Sequence, residues 1–208
     1  MSDYRNTKYC KILSGVDNKK QTLVCKIKND HPRAVDMHTY ISPNTTVRKT
    51  EFMDIYNGKC AYCGVSISLI PRTMFEIDHI IYKKSFPTKK DAGYIENLTL
   101  ACHLCNNKKH DFLIPSEDLD KLHPDKELIK SFYIRNKNNY YIELSDEAKK
   151  HSTLVEFYYK LQLDGEIHRI DYLLMNMIGI MQKHKDNDKL CSKLGQALIM
   201  LQEKRNRI

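Results

Sequence analysis

Two Cys-x-x-Cys pairs, Cys60/Cys63 and Cys102/Cys105, bracket a segment that holds Asp78-His79 and Asn97, and Asn106 follows the last cysteine directly. Four thiolates at this spacing can close one tetrahedral zinc site, because each short turn presents two sulfurs to one ion and two turns complete four-coordination. Everything between the pairs is then a loop pinned at its base. A single Cys-x-x-Cys also serves thiol redox chemistry, but that needs one pair in a βαβ setting, and neither condition is met. Disulfides are the poorer reading. The cysteine count is seven, and MSDYRNTKYCKI carries no apolar leader-like run, so a reducing, cytoplasmic setting is expected. Cys10, Cys25 and Cys191 lie outside the pattern and are expected to be small core residues.

The elements that must position these groups can be read from apolar spacing. Residues 1–48 read as an arm in which Tyr9–Leu13 and Thr22–Ile27 flank the turn-rich Ser14–Asn18, a predicted β-hairpin. Phe52, Ile55 and Tyr56 predict a short helix that stops at Asn57-Gly58 and delivers the chain to the first cysteine pair. Met74–Ile81 alternates at first as a half-buried strand does, and a helix can start at Asn106. Beyond Pro115, Phe132–Ile134 and Tyr140–Leu144 flank Asn136–Asn139, a predicted hairpin. Three helices follow, with stripes on Leu154/Phe157/Leu161, on Ile167/Ile170/Leu174/Met177/Met181, and on Leu190/Leu194/Leu198/Leu201. The methionines of the second stripe, Met175 among them, are expected to pack in the core.

The chain has 208 residues, enough for one domain with extensions or two small ones. Its longest uncharged apolar run, Tyr172–Gln182, is about eleven residues, short of the ~18 that a membrane span needs. With 34 Lys+Arg against 26 Asp+Glu the formal charge is +8, and four thiolates plus one Zn²⁺ bring it to about +6. That balance favours a polyanionic partner. Lys83-Lys84, Lys89-Lys90 and Lys108-Lys109 all lie inside or beside the cysteine-bracketed segment.

Taken in order, Cys60-x-x-Cys63, Glu76-Ile77-Asp78-His79-Ile80, Asn97-Leu98 and Cys102-x-x-Cys105-Asn106-x-x-Lys109 resemble the four-cysteine, zinc-binding subclass of the HNH (ββα-metal) endonucleases, over roughly residues 50–115. The resemblance implies an α+β fold: a zinc-stabilised ββα-metal, treble-clef-like core at 49–115, between the arm at 1–48 and a mostly helical region at 116–208. It also implies metal-dependent hydrolysis of DNA, most readily double-stranded, leaving 5′-phosphate and 3′-hydroxyl ends. Two departures stand out: a long insert between Asp78-His79 and Asn97, and Tyr82 where the family often has proline. The C-terminal extension, with Leu122–Asp125 and Arg169–Leu174, is similar to HNH subunits of bacterial anti-phage systems such as Septu or retron-linked nucleases. That likeness implies antiviral defence with an ATPase partner.

The chemistry fits the residue types. Phosphodiester hydrolysis needs a water activated by a base near neutral pKa, and His79 is the expected base. Charge on the scissile phosphate and leaving oxygen calls for Mg²⁺ or Mn²⁺ on oxygen ligands, expected to be Asp78 and Asn106. His110, four residues beyond Asn106, would share its helix face and join as a ligand. As the middle residue of the family motif, Asn97 is implied by the resemblance to tie down the loop and orient the base, and Glu76 would share the strand face of Asp78. Lys83, Lys84, Lys108 and Lys109 are the expected phosphate contacts. Because neighbours on a strand face opposite ways, Asp78 and His79 can share a site only where the strand ends or bulges. Taken singly, each residue reads as surface chemistry or a cap. The competing reading is a zinc-stabilised nucleic-acid-binding module without catalysis.

Overall fold

The computed structural model describes residues 3–43 and 46–208; residues 1, 2, 44 and 45 of the expected arm lie outside the described residues. Three helices, α1 (Val16–Asp30), α2 (Met37–Ile41) and α3 (Val47–Ile55), precede a two-stranded antiparallel sheet of β1 (Phe75–His79) and β2 (Leu98–Cys102). A short helix α4 (Lys89–Ala92) interrupts the long β1–β2 connection, and α5 (His103–Lys109) leaves β2 directly and packs on both strands. This β1–β2–α5 unit is the ββα core, and the fold is α+β. Next come α6 (Leu119–Leu122), α7 (Ile129–Phe132) and a hairpin of β3 (Tyr133–Arg135) and β4 (Ile142–Leu144). Three helices end the chain: α8 (Ser152–Lys160), α9 (Glu166–Lys183) and α10 (Asp188–Arg205).

The N-terminal hairpin expected from the sequence is absent, and α1 stands in its place. Its buried face is Val16, Lys20, Leu23 and Ile27, a helical spacing that the strand-forming run Thr22–Ile27 obscured. Lys20 disguised that spacing further: a charged residue occupies a core position because its ammonium is ion-paired with Asp125, each side chain 1 % exposed. The three cysteines outside the pairs are also corrected, since Cys25 is exposed and Cys10 and Cys191 are only half-buried.

Helix α3 stops as expected before Asn57-Gly58, both in the left-handed region at φ 53° and 65°. Glycine suits the second position because its φ of 65° is strained for other residues, and a Cβ on Gly58 would also press on the Ile67 side chain at 2.7 Å. The core is continuous from Tyr4 through Phe52, Tyr62, Phe75 and Leu100 to Tyr133 and Leu163, so the N-terminal segment packs into the same core as the sheet. In contrast α10 buries none of its residues and packs chiefly on α9. Of the α9 methionines, Met175 is buried and Met177 and Met181 are half-buried. Among the described residues no helix is long and apolar enough to cross a membrane.

Candidate active site

The four paired cysteines converge. Their sulfurs all lie within 4.8 Å of one another and all four residues are buried. A regular tetrahedron with Zn–S bonds of about 2.3 Å has edges of about 3.8 Å, and Cys63 Sγ and Cys102 Sγ stand 3.8 Å apart. That is far beyond a disulfide bond of about 2.05 Å, so the donor set fits a structural zinc. The first turn is shaped by backbone bonds from Cys60 N to the Val65 carbonyl and from Gly64 N to the Cys60 carbonyl, 2.8 and 2.9 Å. Gly64 takes φ 84°, and a Cβ there would meet the Arg5 carbonyl at 2.4 Å. The second pair needs no separate turn, because Cys102 ends β2 and Cys105 sits in the first turn of α5. Burial raises the Cys60 thiol, but hydrogen bonding with Cys102, Cys105 and Cys63 outweighs it and pulls Cys60 well below the ordinary thiol range. The same sharing pushes Cys63 and Cys105 well above it. A crowd of buried thiols in which one readily ionises is the state that a bound cation resolves.

The zinc turn also reaches into the neighbouring site. Tyr62, between Cys60 and Cys63, donates its hydroxyl to Asp78 Oδ2 at 2.6 Å. From α5, Lys109 places Nζ 3.1 Å from Asp78 Oδ2 and 2.7 Å from the His79 carbonyl. One turn earlier on that helix, Asn106 Nδ2 donates to the Glu76 carboxylate, which also pairs with His103 Nδ1 at 2.7 Å. Asn106/Lys109 on one helix face thus meet Glu76/Asp78 on one strand face. The bond to Glu76 commits the Asn106 amide nitrogen and leaves its oxygen as the end able to ligate a cation. Burial pushes the Asp78 carboxyl above its ordinary value, with Lys109 and Tyr62 opposing it.

Strand β1 ends at His79, which resolves the alternation problem. Asp78, His79, Asn106 and His110 all line one solvent-open groove, together with His38, Tyr82, Lys83 and Asn107. The His79 ring is half-buried and meets the His38 ring in a tilted contact with centroids 4.5 Å apart. Burial, then the adjacent His38, Lys83 and Lys109, lower its pKa to about 4. Asn97 makes the bonds of a loop clamp. Its Oδ1 accepts from Ile81 N at 2.7 Å, and its Nδ2 donates to the carbonyls of Ala92 and Ile81 at 2.9 and 3.2 Å.

Two expectations need correction. Lys109 is fully buried and bonded to Asp78, so it cannot reach a phosphate; its aliphatic stem and ammonium serve the sheet–helix contact instead. His110 does not share the helix face of Asn106, because α5 ends at Lys109 and His110 turns away at φ 46° with its ring paired to Asp111. It nevertheless lines the groove. Lys83 is exposed on the groove wall and Lys84 is exposed beside it, whereas Lys108 turns to the Gln162 side chain. Sequence reasoning missed Tyr62, His103 and His38. Tyr62 and His103 carry a signal, lying within or against the cysteine pairs; His38 carries none, being remote in sequence.

Residues 60–112 match the protein-family model described as HNH endonuclease. The chain is also 36% identical over 72 residues to the "SPbeta prophage-derived putative HNH endonuclease YoqL" of Bacillus subtilis (strain 168), a match covering 33% of this chain and 30% of the relative. No solved structure matches significantly. The segment holding both cysteine pairs, the Asp-His strand and α5 is thus an HNH endonuclease domain of the zinc-binding kind.

Proposed function

We propose that this HNH domain makes the chain a divalent-metal-dependent endonuclease hydrolysing phosphodiester bonds of DNA, with double-stranded DNA as the substrate. The observation that supports it best is convergence: an imidazole and a carboxylate from the end of β1, an amide from α5 and an exposed lysine from the loop after β1 all line one groove. His79 acts as general base. Burial and the neighbouring cationic groups lower its pKa, which keeps the ring neutral and free to accept a proton at physiological pH, though as a weaker base than an exposed imidazole. Asp78 and Asn106 supply oxygen donors of the kind Mg²⁺ or Mn²⁺ prefers, and the ion when bound would offset charge on the scissile phosphate and leaving oxygen. Lys109 and Tyr62 hold Asp78 in place, and Asn97 holds the loop that follows the base. Lys83 and Lys84 contact the backbone phosphates. Products carry 5′-phosphate and 3′-hydroxyl ends.

A cytoplasmic anti-phage role beside an ATPase partner is the finer setting. It draws on the likeness of the C-terminal extension and on α10, which leaves its apolar residues Ile199 and Met200 exposed.

The test is cleavage of supercoiled plasmid by wild type and His79→Ala, each with EDTA, Mg²⁺ or Mn²⁺. Wild type should cut only with divalent metal, and His79→Ala should be slower by roughly 10²- to 10⁴-fold while still binding DNA. If neither protein cuts while both bind DNA with a steep salt dependence, the non-catalytic binding module replaces this reading.

A further inference from the structure

We propose that His38, which lies outside the HNH segment, is a positioning residue for His79, so that the N-terminal segment forms part of the catalytic unit. The inference rests on the nuclease reading above. A general base is ordinarily held by a hydrogen bond to a third group. Among the described residues no group hydrogen-bonds the His79 ring, and its ring contact is the His38 imidazole, 4.5 Å away between centroids and inclined by 36°. Both rings line the groove that holds Asp78 and Asn106. The ring of His38 also faces the Ile77 carbonyl, so it is set against β1 on the side of His79.

His38 can act as a fixed wall because α2 is itself fixed. Asp36 caps the helix, accepting from Thr39 N and, at 2.8 Å, from Thr39 Oγ1. Met37 and Ile41 are buried. Met37 N donates to the Gly93 carbonyl at 2.8 Å, and a Cβ on Gly93 would stand 1.9 Å from Asp36 Oδ1, so α2 sits directly on the turn after α4. Asn97 grips the adjoining Ala92 carbonyl and the Ile81 backbone. One loop is therefore held from inside by Asn97 and from outside by α2, and the two imidazoles meet between those anchors. With its orientation set by a ring face, the base keeps both nitrogens clear of protein partners, one for the attacking water and the other for solvent or substrate.

The test uses full-length, zinc-loaded His38→Ala and His38→Phe with plasmid kinetics, plus NMR of the His79 ring protons without DNA. A half-exposed residue on a capped helix should tolerate both substitutions, and equal zinc content and melting temperature check this. Loss of the ring should lower kcat roughly 10- to 100-fold with KM within about twofold, and should shift the His79 ring signals as the neighbouring ring's current disappears. His38→Phe should recover most of the loss. Unchanged kcat in His38→Ala overturns the proposal. So does His38→Phe as poor as His38→Ala, which would assign the role to the ring nitrogens, or a rise in KM alone, which would make His38 a DNA contact. The NMR arm separates the two ideas. Should the wild type fail to cut, the nuclease reading falls by itself, while His79 signals indifferent to His38→Ala would still sink the positioning role.

Discussion

The zinc turn and the groove lie close together in one small domain, yet they treat polar groups in opposite ways. Around the turn, polar atoms are buried and bonded. Arg5 donates to the carbonyls of Ala61 and Pro124 at 2.6 Å each and pairs with Asp3 at 2.9 Å, and Tyr4 donates to the Tyr62 carbonyl at 2.7 Å. In the groove the His79 ring has no hydrogen bond among the described residues, the His110 side chain is 69% exposed, and Lys83 reaches into solvent. A buried donor or acceptor left unpaired costs about 1–3 kcal/mol, so the packed side pairs most of its polar groups, with Thr7 Oγ1, Thr99 Oγ1 and Asp125 Oδ1 among the exceptions in the described residues. A groove that faces water can leave them open for substrate. Asp78 joins the two regimes, being bound to Tyr62 on the zinc side and lining the groove on the other.

Zinc removal should produce the largest effect and should fall on the packed side. A structural zinc is worth about 10 kcal/mol or more in small zinc domains. Stripping it with a chelator, or substituting Cys105→Ser, should lower the melting temperature by roughly 20 °C or more, at about 2–4 °C per kcal/mol for a chain of this size. Elemental analysis should find one zinc per chain. A protein without zinc, whose melting is indifferent to chelator, would show that hydrophobic packing alone holds the cysteine cluster together.

The same contrast explains what could be read from the sequence. The cysteine pairs are readable because their role depends on local spacing, a two-residue turn that presents sulfurs, whereas the loop-clamping role of Asn97 comes only with the family resemblance. Helix α1 was not readable, because its period shows only once Lys20 is granted a core position, and that depends on Asp125, which lies 105 residues away. His110 and Lys109 were misjudged for a related reason. Helical spacing fixes directions only while the helix lasts, and α5 ends between them. Residue type gave no warning that Lys109 would be buried, because the pairing with Asp78 is tertiary. His38 reaches the groove through the docking of α2 on Gly93, which no local pattern encodes.

A second effect, of intermediate size, should appear on the packed side as a pH dependence. His168 on α9 is buried with its ring near the Leu161 carbonyl, and burial, the largest cause, lowers its pKa to about 4. The unfolded chain should titrate near 6.5, so its contribution to stability is complete above that value. It is eroded as pH falls from about 6.5 through about 4, by up to the order of 3 kcal/mol. Urea unfolding of wild type and His168→Leu between pH 7.5 and 4.5 checks this. The variant should lose less stability on acidification, while acid release of zinc affects both proteins alike. Parallel acid limbs would mean that His168 meets a partner or water in solution.

The smallest effect on stability should come from the groove side, where Lys83→Ala and Lys84→Ala should each change unfolding free energy by no more than about 0.5 kcal/mol, as for surface sites without buried partners. Their effect should appear in binding instead. A lysine that neutralises one phosphate releases about one condensed counterion, so its removal should reduce the salt slope of DNA affinity by about 1. Lys83 lines the groove whereas Lys84 stands beside it over the Tyr82 ring, so Lys83→Ala should show the larger change. Lys108→Ala provides the internal control, since its ammonium is turned to Gln162 and it does not line the groove. If Lys108→Ala changes the salt slope as much as Lys83→Ala does, DNA lies across the α5–α8 surface and not along the groove. The open polar groups around His79 would then need another occupant.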